Sequence, residues 1–313
     1  MSPTERPPLV MRCGAFGDMV LLTVLLEQLH ARFRQRVDVI ASGPWSEPLL
    51  AGHPALGRMF ILRSRRTPYW LSLSQQRLVA WLRRRGAGPT WFCDRGEGRE
   101  LLARGGVPRD YIVDSTAYPF LDGENFADRY LRLGALSPAA FEGALPPAVP
   151  GVPRAAHLVV SDAARRGLDV WLEGRGLAGR SFMVIHPGSR HVARRRLRSR
   201  TGASKYWPEE RWAEVVQAVR ALRPGQAIVF SGMGAESSFI ADVMRLARVS
   251  DAVNAANDLP VMRLLPLLER AAGASRSCSH ALTTRPASIP RILGLPSTVP
   301  VSVTAGVVAP PGR

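Results

Sequence analysis

The sequence predicts an α/β protein built from two doubly wound domains, each a parallel sheet with helices on both faces. Three observations carry that expectation. Short apolar runs alternate with amphipathic helical runs along most of the chain. Residues 136–154, LSPAAFEGALPPAVPGVPR, hold five prolines and read as a link between two halves. The pattern S-G-x-x-x-E follows a strand in each half, at Ser42–Glu47 and Ser231–Glu236. The expected boundaries are residues 1–155 and 156–313.

The elements follow in order. A strand over Pro8–Cys13 runs into the turn GAFGD. A helix over Met19–Arg32 comes next, with Val20, Val24 and Leu25 on one face. The strand VDVIAS ends at Gly43, and a short helix in EPLLAGHP stops at Gly52 and Pro54. Strands are expected at Met59–Leu62, Thr90–Cys93 and Asp110–Val113. Past the link, a helix over Ser161–Glu173 leads to the strand in SFMVIHPGS, which breaks at Pro187-Gly188. Pro208, Glu209 and Glu210 mark a helix start. QAIVFSGMGAE reads as a strand, a glycine turn and a helix. LPVMRLLPLLERAAG reads as a helix ending at Gly273.

Composition narrows the class. A chain of 313 residues with 46% hydrophobic content is long enough for two buried cores. The apolar stretch Met19–Leu26 is too short to cross a bilayer. The opening MSPTERPPLV lacks a basic start and a long apolar run, so no secretory signal is read and a cytosolic protein is expected. Cys13, Cys93 and Cys278 are too scattered for a disulfide framework or a zinc site, and the six histidines show no ligand spacing, so no metal is expected.

The net charge is +17, which points to an anionic partner: nucleic acid, phospholipid headgroups or a phosphorylated glycan. The densest basic run, Arg190–Arg200, has no interleaved aromatics, so base stacking and nucleic-acid binding are not expected. The chain has a single lysine, Lys205, among its 42 Lys and Arg residues. A GC-rich coding bias explains so strong a preference for arginine. The same bias makes one retained lysine a candidate for a role that arginine cannot fill.

Three stretches carry chemistry. In RCGAFGDMVLLT, Gly14 and Gly17 let backbone approach a ligand, and Asp18 stands at a helix start. Asp18 is either a capping carboxylate or a base that takes a proton from a substrate hydroxyl. The spacing is not that of the G-x-G-x-x-G dinucleotide fingerprint. In HPGS…SKYWPEERW, Gly188 and Ser189 end a strand, and Lys205 precedes a helix N-terminus, where phosphate is favoured. The alternative is a solvated Lys205 beside a core Trp207. In VFSGMGAESSF, Gly232 and Glu236 fit a ribose-binding turn or a plain helix start.

These stretches, in this order, resemble glycosyltransferase family nine, the ADP-heptose:lipopolysaccharide heptosyltransferases. CGAFGDMVLLT is similar to the family's G-x-x-G-D opening, and KYWPEERW to its K-x-W-P-x-x-x-W signature. The resemblance spans roughly residues 8–296. It implies a GT-B fold, with an acceptor-binding N-terminal domain, a nucleotide-sugar-binding C-terminal domain and a cleft between them. It also implies inverting chemistry without a metal or cofactor, with an ADP-sugar as donor and a lipopolysaccharide core or related glycolipid as acceptor. Under it Asp18 is the base, Lys205 steadies the departing diphosphate, Glu236 holds the ribose and Met262 lines the adenine pocket. A cytoplasmic protein, peripheral on the anionic inner leaflet, follows.

One segment departs from the family. Where it carries D-[ST]-G-x-x-H, this chain reads TTRPAS, with Thr283, Arg285 and Ser288 in place of Asp, Gly and His. Residues 274–313 contain no Asp or Glu, and the tail is shorter than the family's closing helices. Two consequences stay open: a degenerate protein that binds sugar nucleotide without catalysis, or phosphate binding taken over by Thr284 and Arg285.

Overall fold

The computed structural model describes residues 2–94, 96, 98–188, 207–256, 258–276 and 301–306. The chain divides into two compact units between Val159 and Val160.

The first unit is a five-stranded sheet in the order β3-β2-β1-β4-β5. Its strands are β1 (Leu9–Arg12), β2 (Val37–Ala41), β3 (Leu56–Ile61), β4 (Thr90–Phe92) and β5 (Ile112–Asp114). All neighbours run parallel, with Leu9 level with Asp38 on one side and Thr90 on the other. Parallel strands buried on both faces read as near-continuous apolar runs, and β1 and β2 do so apart from Arg12 at the end of the first and buried Asp38 within the second. Helices α1 (Phe16–Phe33), α2 (Ser46–Leu50), α3 (Leu73–Arg85), α4 (Gly98–Arg104) and α5 (Phe126–Ala135) connect and flank the strands. α1 is apolar almost all round and ends at Arg34, whose left-handed φ of 54° closes the helix through a bond from its N–H to His30 O.

The proline-rich stretch is strapped to this unit instead of hanging free. Buried Arg32 donates to Leu136 O at 2.7 Å, Ser137 Oγ at 2.6 Å and Pro146 O at 2.7 Å. Phe141 is buried and packs its ring 4.5 Å from that of Tyr111. A strand absent from the sequence reading, β6 (Ala156–Ser161), follows and pairs with β11 (Val301–Gly306).

The second unit is a four-stranded parallel sheet in the order β10-β7-β8-β9. Its strands are β7 (Phe182–His186), β8 (Ala227–Phe230), β9 (Val253–Asn254) and β10 (Gly273–Arg276). Helices α6 (Asp162–Gly174), α7 (Glu209–Leu222), α8 (Ser237–Ala247) and α9 (Val261–Arg270) cover it. Two apolar clusters back the sheet. One holds Ile185, Trp212, Phe230 and Ile240; the other holds Leu168, Trp171, Val184, Val229 and Leu267. The last expected helix stops earlier than Gly273. It ends at Arg270, because Gly273–Arg276 is drawn into the sheet beside Met183–His186.

Both sheets reverse direction of strand addition once. In the first the reversal lies between β1 and β4; in the second it lies between β7 and β10. In open parallel sheets, ligands bind outside the carboxyl ends of the strands at that switch point. The topology therefore singles out the loops after β1 and β4, and those after β7 and β10.

Candidate functional site

The β1 loop carries the first candidate carboxylate. Ala15 is the N-cap of α1 and Asp18 is its third residue. Asp18 Oδ2 accepts from the Ala15 N–H at 2.7 Å, and Oδ1 pairs with Arg12 Nη2 at 2.9 Å. The capping role is thus present. A carboxylate has about four lone-pair sites, so two contacts leave acceptor capacity. The Asp18 side chain stays 31% exposed, enough to meet a substrate hydroxyl. Gly14 is required here: a Cβ on it would lie 2.5 Å from Asp18 Cβ and 2.6 Å from Oδ2. Gly17 sits in the first turn of α1, half-buried.

Arg12 and Asp94, neither of them singled out by the sequence reading, tie the switch point together. Arg12 Nη1 donates to Cys93 O at 2.6 Å, so one guanidinium spans the ends of β1 and β4. Burial works against the charge, but Tyr130, Asp18 and Cys93 together outweigh it and hold Arg12 further toward its charged form. Buried Asp94 accepts from the Cys13 N–H at 3.2 Å and from Arg65 Nη1 at 2.6 Å, which brings in the loop after β3. The only sequence signal for Arg12 was a charge closing an otherwise apolar strand. Burial pushes the Cys13 and Cys93 thiols up to about 12, so both are protonated at neutral pH and neither is a nucleophile.

In the second unit, Glu236 is 2% exposed although it lies at the carboxyl edge of the sheet. It closes a one-turn 3₁₀ segment, Gly234–Glu236, and its Oε2 accepts from the Met233 N–H at 2.7 Å. Two glycines make its place. A Cβ on Gly188 would fall 2.6 Å from the carboxyl carbon, and one on Gly232 would fall 3.0 Å from Oε2. Gly188, Gly232 and Glu236 therefore meet, at the ends of β7 and β8. Among the described residues no cation pairs with Glu236. His186 Nδ1 and Ser231 Oγ share a 3.2 Å hydrogen bond beside it. Asn254, at the end of β9, donates to Ser237 O at 3.1 Å and accepts from Ala256 N–H at 3.1 Å. Met262 is half-buried in the first turn of α9.

Lys205, Ser189, Thr284 and Arg285 lie outside the described residues, as do the Arg190–Arg200 run and Cys278. Trp207 is described and is not a core residue: it is 42% exposed and meets Trp212 edge-on, centroids 5.0 Å apart. Trp212, 2% exposed, is the tryptophan that anchors α7 in the core.

The histidines do cluster in space. His53 and His157 lie 5.2 Å apart, and His157 Nδ1 donates to Glu27 Oε1 at 2.7 Å. The three residues are too distant in sequence for any spacing rule to have found them. Ala55 N–H donates to His53 Nδ1 at 3.2 Å, so in the neutral ring the proton sits on Nε2, 3.8 Å from the same carboxylate oxygen. A metal ligand at Nε2 needs the opposite tautomer.

No protein-family model matches the sequence, and no curated protein matches it. Solved structures do match the fold. The glycosyl transferase family 9 structure from Veillonella parvula aligns with a TM-score of 0.65 at 15% identity, over 88% of this chain and 76% of that one. Escherichia coli ADP-heptose lps heptosyltransferase II aligns at 0.63 and 18% identity, over 87% and 79%. The E. coli heptosyltransferase WaaC with ADP-2-deoxy-2-fluoro heptose aligns at 0.54 and 13%, over 95% and 92%. The chain is thus structurally similar to family-nine glycosyltransferases, and its fold is GT-B, with two Rossmann-like units.

Proposed function

We propose that the protein is a glycosyltransferase that moves a sugar, of the heptose type, from an ADP-sugar to a lipopolysaccharide core or related glycolipid. The observation that carries this reading is that each sheet sets a glycine-accommodated carboxylate at the carboxyl ends of its strands, on a fold shared with proteins that act on such donors. The loops around Gly188, Ser189 and Gly232 receive the nucleotide. Glu236 shapes the turn through Met233 and offers its remaining lone pairs to a ribose hydroxyl, with no Cβ from either glycine in the way. Met262 borders the base.

In the reaction, the acceptor oxygen attacks the anomeric carbon from the face opposite the diphosphate. The acceptor proton passes to Asp18, the sugar–phosphate bond breaks, and ADP leaves with its electrons. Configuration at the anomeric carbon inverts. Lys205, and Arg285 where the family carries glycine, meet the charge that grows on the diphosphate. No metal or cofactor enters this reading.

Thr283, Arg285 and Ser288 favour a second reading, a sugar-nucleotide-binding protein of the same fold without transfer activity. ADP calorimetry separates the phosphate role from general fold effects. Lys205→Ala is expected to weaken ADP binding roughly tenfold or more, as loss of a charge-assisted contact does. Unchanged affinity would remove Lys205 from the site.

A further inference from the structure

The first unit exposes a patch that neither carboxylate needs. Trp70, Leu71 and Leu73 are 74%, 59% and 67% exposed and stand within four residues of one another. They occupy a 3₁₀ turn, Tyr69–Leu71, and the first residue of α3. Scattered exposed apolar residues are ordinary; three large ones together at a turn are not.

Their surroundings say what covers them. The loop carrying Arg63, Arg65 and Arg66 is fixed against the same first turn of α3. Arg63 N–H donates to Ser74 Oγ at 2.9 Å, and Gln75 Nε2 donates to Ser64 O and Thr67 O at 3.1 and 2.8 Å. Arg77 and Arg84 continue the face of Leu73 along α3 at helical spacing, and both are exposed. From Pro48 to Cys93 the sequence has eight arginines and no Asp or Glu. Elsewhere about half of the described arginines pair with a carboxylate, whereas Arg63, Arg66, Arg77 and Arg84 form no ion pair among the described residues, and their stretch of sequence holds no acidic residue that could supply one.

An apolar tip with a tryptophan, flanked by a loop and a helix face that carry unpaired guanidinium groups, matches the interface of an anionic bilayer. The indole and leucines enter the headgroup boundary, and the cations meet lipid phosphates. A protein partner would instead need acidic groups opposite each arginine as well as a socket for Trp70. We infer that the Arg63–Arg84 segment is a membrane-docking surface for anionic phospholipid, with Trp70, Leu71 and Leu73 as its inserting tip. No helix among the described residues is long and apolar enough to span the bilayer, so docking would be peripheral. The inference does not depend on the transfer chemistry.

The test is flotation of the full chain with phosphatidylcholine vesicles, with and without phosphatidylglycerol, at near-physiological salt. Binding is expected only to the anionic vesicles. The variant carrying Trp70→Ser, Leu71→Ser and Leu73→Ser, with unchanged circular dichroism, is expected to lose roughly tenfold or more of that binding. Arg63→Glu with Arg66→Glu and Arg77→Glu is expected to lose at least roughly fivefold for each cation removed. ADP affinity should be unaltered in both, which keeps this test apart from that of the transfer reading. Equal flotation of wild type and both variants, or no flotation of wild type, overturns the inference. So does concentration-dependent self-association of wild type that the serine variant abolishes, because the patch would then be an interface between copies.

Discussion

Arg12 Nη2 lies 2.9 Å from Asp18 Oδ1 while Nη1 of the same guanidinium holds Cys93 O at 2.6 Å. One cation thus fixes the candidate base across the β1–β4 switch point, and Gly14 leaves the room it needs. The arrangement orients the carboxylate without covering it.

Asp18→Asn is expected to keep the bond from Ala15 N–H, since an amide oxygen accepts it too, and to lose the charge that takes a proton. Sugar transfer should fall about 10²- to 10⁴-fold. ADP affinity should be unchanged, and stability should shift by no more than about 1 kcal/mol, because the ion pair is partly exposed. Steady-state rates and calorimetry check the split. Retained turnover contradicts the base assignment.

Gly188→Ala forces a Cβ to within 2.6–2.9 Å of the Glu236 carboxylate. That carboxylate is buried and pinned to Met233, so it has little room to swing away. A destabilisation of about 1–3 kcal/mol is expected, in the range of overpacked cores. ADP binding should weaken as well. Glu236→Gln, which preserves volume and the Met233 bond, should leave stability nearly unchanged and still weaken ADP. Urea midpoints and calorimetry on both variants test this; wild-type affinity in both removes Glu236 from the nucleotide site.

Burial, with the nearby charges of His157 and His30, holds His53 down to about 4. The unfolded chain binds a proton at His53 below pH of about 6.5, and the folded chain does not until about 4. Stability from this group is therefore full above about 6.5 and declines as pH falls toward 4, by up to about 3 kcal/mol. Urea midpoints at stepped pH measure the slope, and His53→Gln should flatten it. A slope unaltered by that variant assigns the acid sensitivity elsewhere.

Much of the fold was legible because parallel strands leave near-continuous apolar runs, as at residues 9–11 and 182–185. The glycines and carboxylates at the strand ends were legible for a related reason: turn chemistry is local. What escaped depended on distance. Arg12 acts through Cys93, Asp94 through Arg65 and Cys13, and Glu27 through His53 and His157, and no spacing rule joins such residues. Trp207 and Trp212 look alike in sequence. Only the packing of α7 shows that the second is the core residue and the first is half open. Gly273 read as a helix stop because its role in β10 needs β7 beside it.

Sugar transfer by this chain is the central claim. The most direct measurement incubates it with an ADP-heptose labelled in the sugar and a lipopolysaccharide-core acceptor, and follows ADP release, label in the glycolipid and the anomeric configuration of the product. The expected result is one ADP for each sugar transferred, with inverted configuration, at a rate that Asp18→Asn lowers about 10²- to 10⁴-fold. Folded wild-type protein that binds ADP yet releases none in the presence of acceptor contradicts it, and leaves a nucleotide-binding protein of this fold in its place.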